Sequence, residues 1–178
     1  MLHEESIIRN IQSGIDVEIG FRKLVGEYKE RVYWHARGIV GGHEDAADVT
    51  QNTFVKVYKN IGNFKRDSKF YTWLYRIATN ESLNLLKKSK KHKGHVGDEE
   101  LSKAAAQGYF DGTKAQRTLQ DAIAQLPSKQ KIVFNMKYFD EVTYNEMSEI
   151  LETSVGALKA SFHHAKNKIE AYIKEQCL

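Results

Sequence analysis

Apolar residues recur along this chain at offsets of three and four, with a single proline and almost no alternating Val/Ile/Thr stretch. That period predicts helices, where a period of two would predict strands, so the chain reads as all-α. Phe21, Leu24, Val25, Tyr28, Val32, Trp34 and Ile39 predict one long helix from Ile19 to Ile39, ended by the breaker pair Gly41-Gly42. A second helix starts near His43. Its first turn carries Glu44, Asp45 and Asp48, which suit the positive end of a helix dipole, and its apolar face is Ala46, Val49, Phe54, Val57 and Ile61. Gly62 closes it, and Asp67 or Ser68 can cap a third helix running to about Lys88.

From Ser89 to about Lys114 the periodicity weakens and glycines recur at 94, 97, 108 and 112. Such a stretch is too long for an ordinary connection inside one compact unit. It predicts a flexible linker over 91–114 between two small helical domains, 1–90 and 115–178, with a transient helix possible over Leu101 to Gln107. The second domain begins with Leu119, Ile123 and Leu126, and Pro127 then stands where a helix start tolerates it. Thr143-x-x-Glu146 matches a capping box, with Val142 and Met147 at the staple positions. Glu152-Thr153 forms a turn, and Ser154 caps a final helix with Val155, Leu158, Phe162, Ala165 and Ile169 on its buried face. A short helix, a tight turn and a longer basic helix describe a helix-turn-helix. Asp140, Glu141, Glu146, Glu149 and Glu152 precede Ser154, whereas Lys159, His163, His164, Lys166 and Lys168 follow it. The final helix is therefore the one suited to a DNA major groove.

Charge sharpens the picture once divided along the chain. The net charge is +4, yet residues 62–93 hold 9 Lys+Arg against 2 Asp+Glu, so the whole excess lies there. The same block holds Asn63 to Asn84, where aromatics, cations and amides crowd one loop and the helix after it. Aromatic faces stack on bases, cations hold phosphates and amides read base edges, a mixture suited to single-stranded nucleic acid. Phe70, Trp73, Leu74 and Ile77 share one helical face and read as core, while Phe64, Tyr71 and Tyr75 lie elsewhere and are candidates for stacking. The lone Cys177 and the scattered histidines give no disulfide or zinc pattern, and no metal or cofactor is expected. No apolar run reaches membrane-spanning length and no export signal is evident, so no membrane insertion and a cytoplasmic location are expected. No phosphate-cradling loop or activated nucleophile is present, so catalytic residues are not expected either.

Three segments carry a family resemblance. They are H-E-D-A-A-D-V-T-Q-N-T-F-V-K-V-Y at 43–58, F-K-R-D-S-K-F-Y-T-W-L-Y-R-I-A-T-N at 64–80, and the stretch from L-P-S-K-Q-K-I-V-F through S-V-G-A-L-K-A-S-F-H-H-A-K-N-K-I. In order and spacing they resemble the extracytoplasmic-function group of bacterial RNA polymerase sigma factors. The resemblance implies that Asp45, Asp48, Gln51, Asn52 and Phe54 face or support a core polymerase contact. It implies that Phe64, Lys65, Arg66, Asp67, Ser68 and Lys69 form the loop taking a flipped minus-ten base, flanked or supported by Tyr71, Thr72, Trp73, Arg76 and Asn80. It places Ser154, Lys159, Ser161, His163, His164 and Lys166 toward the minus-thirty-five duplex. Core RNA polymerase, promoter DNA and a separate anti-sigma factor are the partners it implies. Asn52 stands where the family commonly has glutamate, Glu152 where a small residue is frequent, and Ser161 and His164 where arginine is common. A stand-alone helix-turn-helix regulator is the competing reading, and it leaves residues 43–80 without a role.

Overall fold

The structure, a computed structural model, describes residues 2–92 and 114–176. The expected linker from 93 to 113, with its transient helix over Leu101 to Gln107, lies outside the described residues. Everything regular among the described residues is helical: α1 (Leu2–Gln12), α2 (Val17–Val40), α3 (His43–Asn60), a 3-10 turn (Ile61–Asn63), α4 (Phe70–His92), α5 (Lys114–Ala124), α6 (Ser128–Tyr138), α7 (Tyr144–Leu151) and α8 (Val155–Gln176).

Local chemistry explains most boundaries. Gly41 ends α2 at φ 83, a left-handed value that costs a residue with a Cβ, and its N–H bonds back to the Arg37 carbonyl. Thr143 and Glu146 complete both halves of the capping box that starts α7. The staple residues Val142 and Met147 are both buried in one cluster. Ser154 Oγ accepts from the Ala157 N–H at the start of α8. Between them Glu152 adopts φ 50 and ψ 41, the left-handed geometry that glycine would take without steric cost. Helix α1 was not expected from the pattern. It docks through Ile8 and Ile11, and Gly20 admits it: a Cβ there would stand 2.9 Å from Ile11 Cγ1. Each such buried side chain contributes roughly 2 kcal/mol of transfer free energy.

Two cores follow from these faces. Ile8, Ile11, Leu24, Tyr28, Val32, Phe54, Val57, Phe64, Phe70, Leu74 and Ala78 join α1 to α4, whereas Ile123, Leu126, Phe134, Ala165 and Ile169 join α5, α6 and α8. A third cluster belongs to both halves: Ile39 of α2 and Tyr75 of α4 pack with Ile132, Val133, Met136, Val142, Met147, Ile150 and Leu158. Gly38 lets α6 come close to α2, where Asn135 Nδ2 donates to the Gly38 carbonyl at 2.9 Å. The helix-turn-helix unit is therefore packed directly on the N-terminal helices.

Candidate nucleic-acid and polymerase interfaces

The loop between the 3-10 turn and α4 is held from one side by α1. Gln12 Nε2 donates to the Ile61 and Phe64 carbonyls at 2.9 Å each, and Gln12 Oε1 accepts from Arg66 Nη2 at 2.9 Å. Arg66 takes φ 62, an uncommon left-handed backbone for a residue with a side chain. Gln12, Gly62, Asn63, Phe64, Lys65 and Arg66 line an open hollow of about 630 Å³. Lys65, Arg66 and Asp67 are exposed and Ser68 is half-buried.

Phe64 is placed differently from its expected free position: its ring is 7% exposed and lies 5.7 Å from Phe70 and 5.1 Å from Trp73. Its aromatic surface supports the loop from inside. Tyr75, also read as a stacking candidate, is buried in the shared cluster, and burial, with Asp140 nearby, pushes its hydroxyl up to about 12. Phe70 and Leu74 are core, as their spacing predicts, while Trp73 and Ile77 pack partly buried against them. Thr72 is buried and Asn80 is exposed.

The remaining α4 residues meet α7. Lys69 Nζ lies 2.9 Å from Glu146 Oε1, and Tyr71 also hydrogen-bonds to Glu146. Arg76 pairs with Glu152. Burial alone would raise the Glu146 carboxyl; hydrogen bonds from Lys69, Tyr71 and the Thr143 side chain and backbone outweigh it and hold the group at about 2. The same carboxylate raises Lys69, chiefly by its hydrogen bond, and raises Tyr71 after burial. Arg31, which no sequence motif marks, has its guanidinium carbon within 5.9–6.0 Å of the centroids of the Tyr28, Tyr71 and Tyr75 rings. Deeper in the same contact, His35 Nδ1 stands 2.8 Å from Asp140 and Nε2 stands 2.9 Å from Thr79 Oγ1.

Helix α3 presents Asp45, Asp48, Gln51 and Asn52 to solvent, while Phe54 is buried edge-on against Phe21. Gln51 borders a groove of about 970 Å³ between α2 and α3, whose walls include Phe21, Val25, Tyr33, Val55 and Tyr58. Tyr58 is 49% exposed and Val55 44%, an apolar component that the acidic pattern at the helix start had obscured. Ser154 just before α8, and Lys159, His163, His164 and Lys166 within it, are exposed. Ser161 is half-buried, because its position lies beside the Leu158 and Ala165 core stripe. Asn167 Nδ2 stands 3.1 Å from His163 Nε2, and Lys166 pairs with Glu170 at 3.5 Å. Among the described residues no group of three or more His, Cys, Asp or Glu could hold a metal ion, and no helix is long and apolar enough to cross a membrane.

These features define a two-part helical nucleic-acid-binding protein: a cationic loop and helix in one half and a helix-turn-helix in the other. Residues 24–92 match the model for Sigma-70 region 2, and residues 116–169 match that for Sigma-70, region 4. The ECF RNA polymerase sigma factor SigW of Bacillus subtilis (strain 168) is 30% identical over 87% of this chain and 89% of its own length. The ECF RNA polymerase sigma-E factor of Haemophilus influenzae is 27% identical over 97% of this chain and 96% of its own. Among solved structures, CnrH in complex with the cytosolic domain of CnrY aligns with a TM-score of 0.72 at 21% identity, covering 97% of both chains. The sigma factor RpoE from Bartonella quintana, in complex with the anti-sigma factor NepR, aligns with a TM-score of 0.70 at 16% identity, covering 86% of this chain and 96% of that one. The chain belongs to the ECF sigma factors of the sigma-70 family.

Proposed function

We propose that this sigma factor binds core RNA polymerase, recognises two promoter elements and opens the duplex, acting without covalent chemistry of its own. Residues 1–90 form the polymerase-binding and minus-ten domain, and residues 115–178 form the minus-thirty-five domain. The observation that carries this reading is the concentration of exposed cations and an open hollow in one loop, on a chain whose two halves match the two sigma regions. A base captured outside the duplex costs a few kcal/mol of unstacking, offset by its binding to the protein. Lys65 and Arg66 hold the phosphates, Phe64 and Trp73 brace the loop, and Asp67, Ser68 and Asn80 supply polar groups beside the strand. Lys69, Tyr71 and Arg76 carry the strand onward along α4. Asp45, Asp48, Gln51 and Asn52, over the buried Phe54, face the polymerase. Ser154, Lys159, Ser161, His163, His164 and Lys166 approach the duplex, with lysines on phosphate or guanine and histidines as groove donors.

The solved RpoE is bound to the anti-sigma factor NepR, and a separate inhibitor of this kind is the expected regulator here. The test is reconstitution with core polymerase on a promoter library. Selective initiation from the mixture, with little specific duplex binding by the free protein, supports the reading. Equal sequence-specific binding without polymerase would establish the stand-alone regulator instead.

A further inference from the structure

The geometry points to Gln12 as a positioning residue for promoter opening, so that α1 forms part of the minus-ten reading site. This rests on the proposed function and goes beyond it, because the region 2 match begins only at residue 24. One side-chain amide makes three bonds to the loop: two donated to the Ile61 and Phe64 carbonyls and one accepted from Arg66. Both amide hydrogens are thereby engaged, so Gln12 holds the hollow in shape and leaves the reading of a base to others. The two carbonyls bracket Gly62 and Asn63, which fixes the hollow's floor, and the bond to Arg66 fixes a guanidinium whose backbone is in the left-handed region. A loop ordered before the base arrives loses less freedom on capture, and the rate of opening gains accordingly.

The experiment uses the full chain bound to core polymerase and compares Gln12→Met, which keeps the packing and removes all three bonds, with the wild type. Opening is read by permanganate reactivity of thymines, and base preference by initiation from a library randomised over the minus-ten element. The expected result is unchanged assembly, opening slowed about tenfold, the size of one lost hydrogen bond, and a flattened preference at one base position. Unchanged opening and preference would overturn the inference. So would parallel losses of thermal stability, assembly and opening, since these would reduce Gln12 to a docking residue of α1. If Lys65→Ala and Arg66→Ala also left opening intact, the loop itself would be misassigned and the proposed function would fail separately.

A different observation carries a second inference. Lys69, Tyr71 and Arg76 are engaged by Glu146 and Glu152, so we infer that the acidic face of α7 occupies the strand-tracking half of the site in the free protein. Carboxylates stand where phosphates would lie, while the Lys65–Arg66 half stays open. Glu146→Gln with Glu152→Gln tests it, because glutamine at the third helical position preserves the capping box. The free full-length double variant should bind a mixed-sequence single-stranded DNA 12-mer about tenfold more tightly at low salt, with an increased radius of gyration by X-ray scattering. The charge-matched control Asp121→Asn with Glu175→Gln should change neither. Equal gains in variant and control, or no gain, would overturn the inference.

Discussion

Asp140 is hydrogen-bonded to His35 across 105 residues of sequence, at 2.8 Å and with His35 3% exposed. Thr79 donates its hydroxyl to the Tyr75 carbonyl at 2.7 Å and stands 2.9 Å from His35 Nε2. Both ring nitrogens of His35 are thereby engaged, and the two halves of the chain share a buried polar link. Asp140→Asn should weaken the contact between the halves by about 2 kcal/mol. Denaturant unfolding followed by a probe in each half checks this: one shared transition in the wild type should separate into two in the variant.

Glu146 gives the closed arrangement an acid dependence. Its carboxyl is held at about 2 against an ordinary 4.5, so its stabilising contribution is complete above about pH 4.5 and is lost as pH falls toward 2. The exposed Lys69 half of the pair is screened by solvent, so the effect is modest and decreases with salt. Small-angle scattering between pH 5 and pH 2.5 should show the halves of the wild type separating as pH falls, whereas Glu146→Gln should already be the more open form at pH 5 and show less of that dependence.

Phe64→Ala should cost about 3 kcal/mol of stability, as for other buried aromatics, because the ring is packed against Phe70 and Trp73. Urea unfolding measures it. Phe64→Leu should recover most of the loss, whereas a residue acting only by stacking on a base would give two variants of wild-type stability.

Asp48→Arg changes an exposed side chain on α3 and should leave folding unaltered. Its expected effect is a roughly tenfold weaker complex with core polymerase, visible mainly at low salt. Fluorescence anisotropy titration with purified core enzyme reads it.

Lys159→Ala on α8 should weaken duplex binding of the holoenzyme nearly uniformly across sequences and reduce the salt slope by about 1. A change confined to one promoter base would instead mean that Lys159 reads guanine.

Local rules made much of this molecule legible. Gly41, the Thr143–Glu146 box and Ser154 act within a few residues of themselves, so the ends of α2 and the starts of α7 and α8 follow from the sequence. The stripe of Phe70 and Leu74 reads as core for the same reason. What stayed illegible depends on partners far along the chain. Ile7, Ile8 and Ile11 are too few to announce a helix, and α1 is seated only because Gly20 receives it. Phe64 looked free because its partners Phe70 and Trp73 seemed occupied with their own helix face. Gln12, Arg31 and His35 carry no motif; each matters through groups 40 to 105 residues distant, namely Arg66, Tyr71 and Asp140. The pairing of α4 cations with α7 acids was equally hidden, although the segregation of charge along the chain supplied both halves of it.

Met136, Met147 and Leu158, interior to the helix-turn-helix, lie in the same cluster as Ile39 and Tyr75. A chain whose halves part must leave some of this oily surface wet until another body shelters it. The parted form should consequently be the least soluble and shortest-lived state of the free protein, and overexpression of variants that favour it should fill inclusion bodies unless core polymerase is supplied alongside.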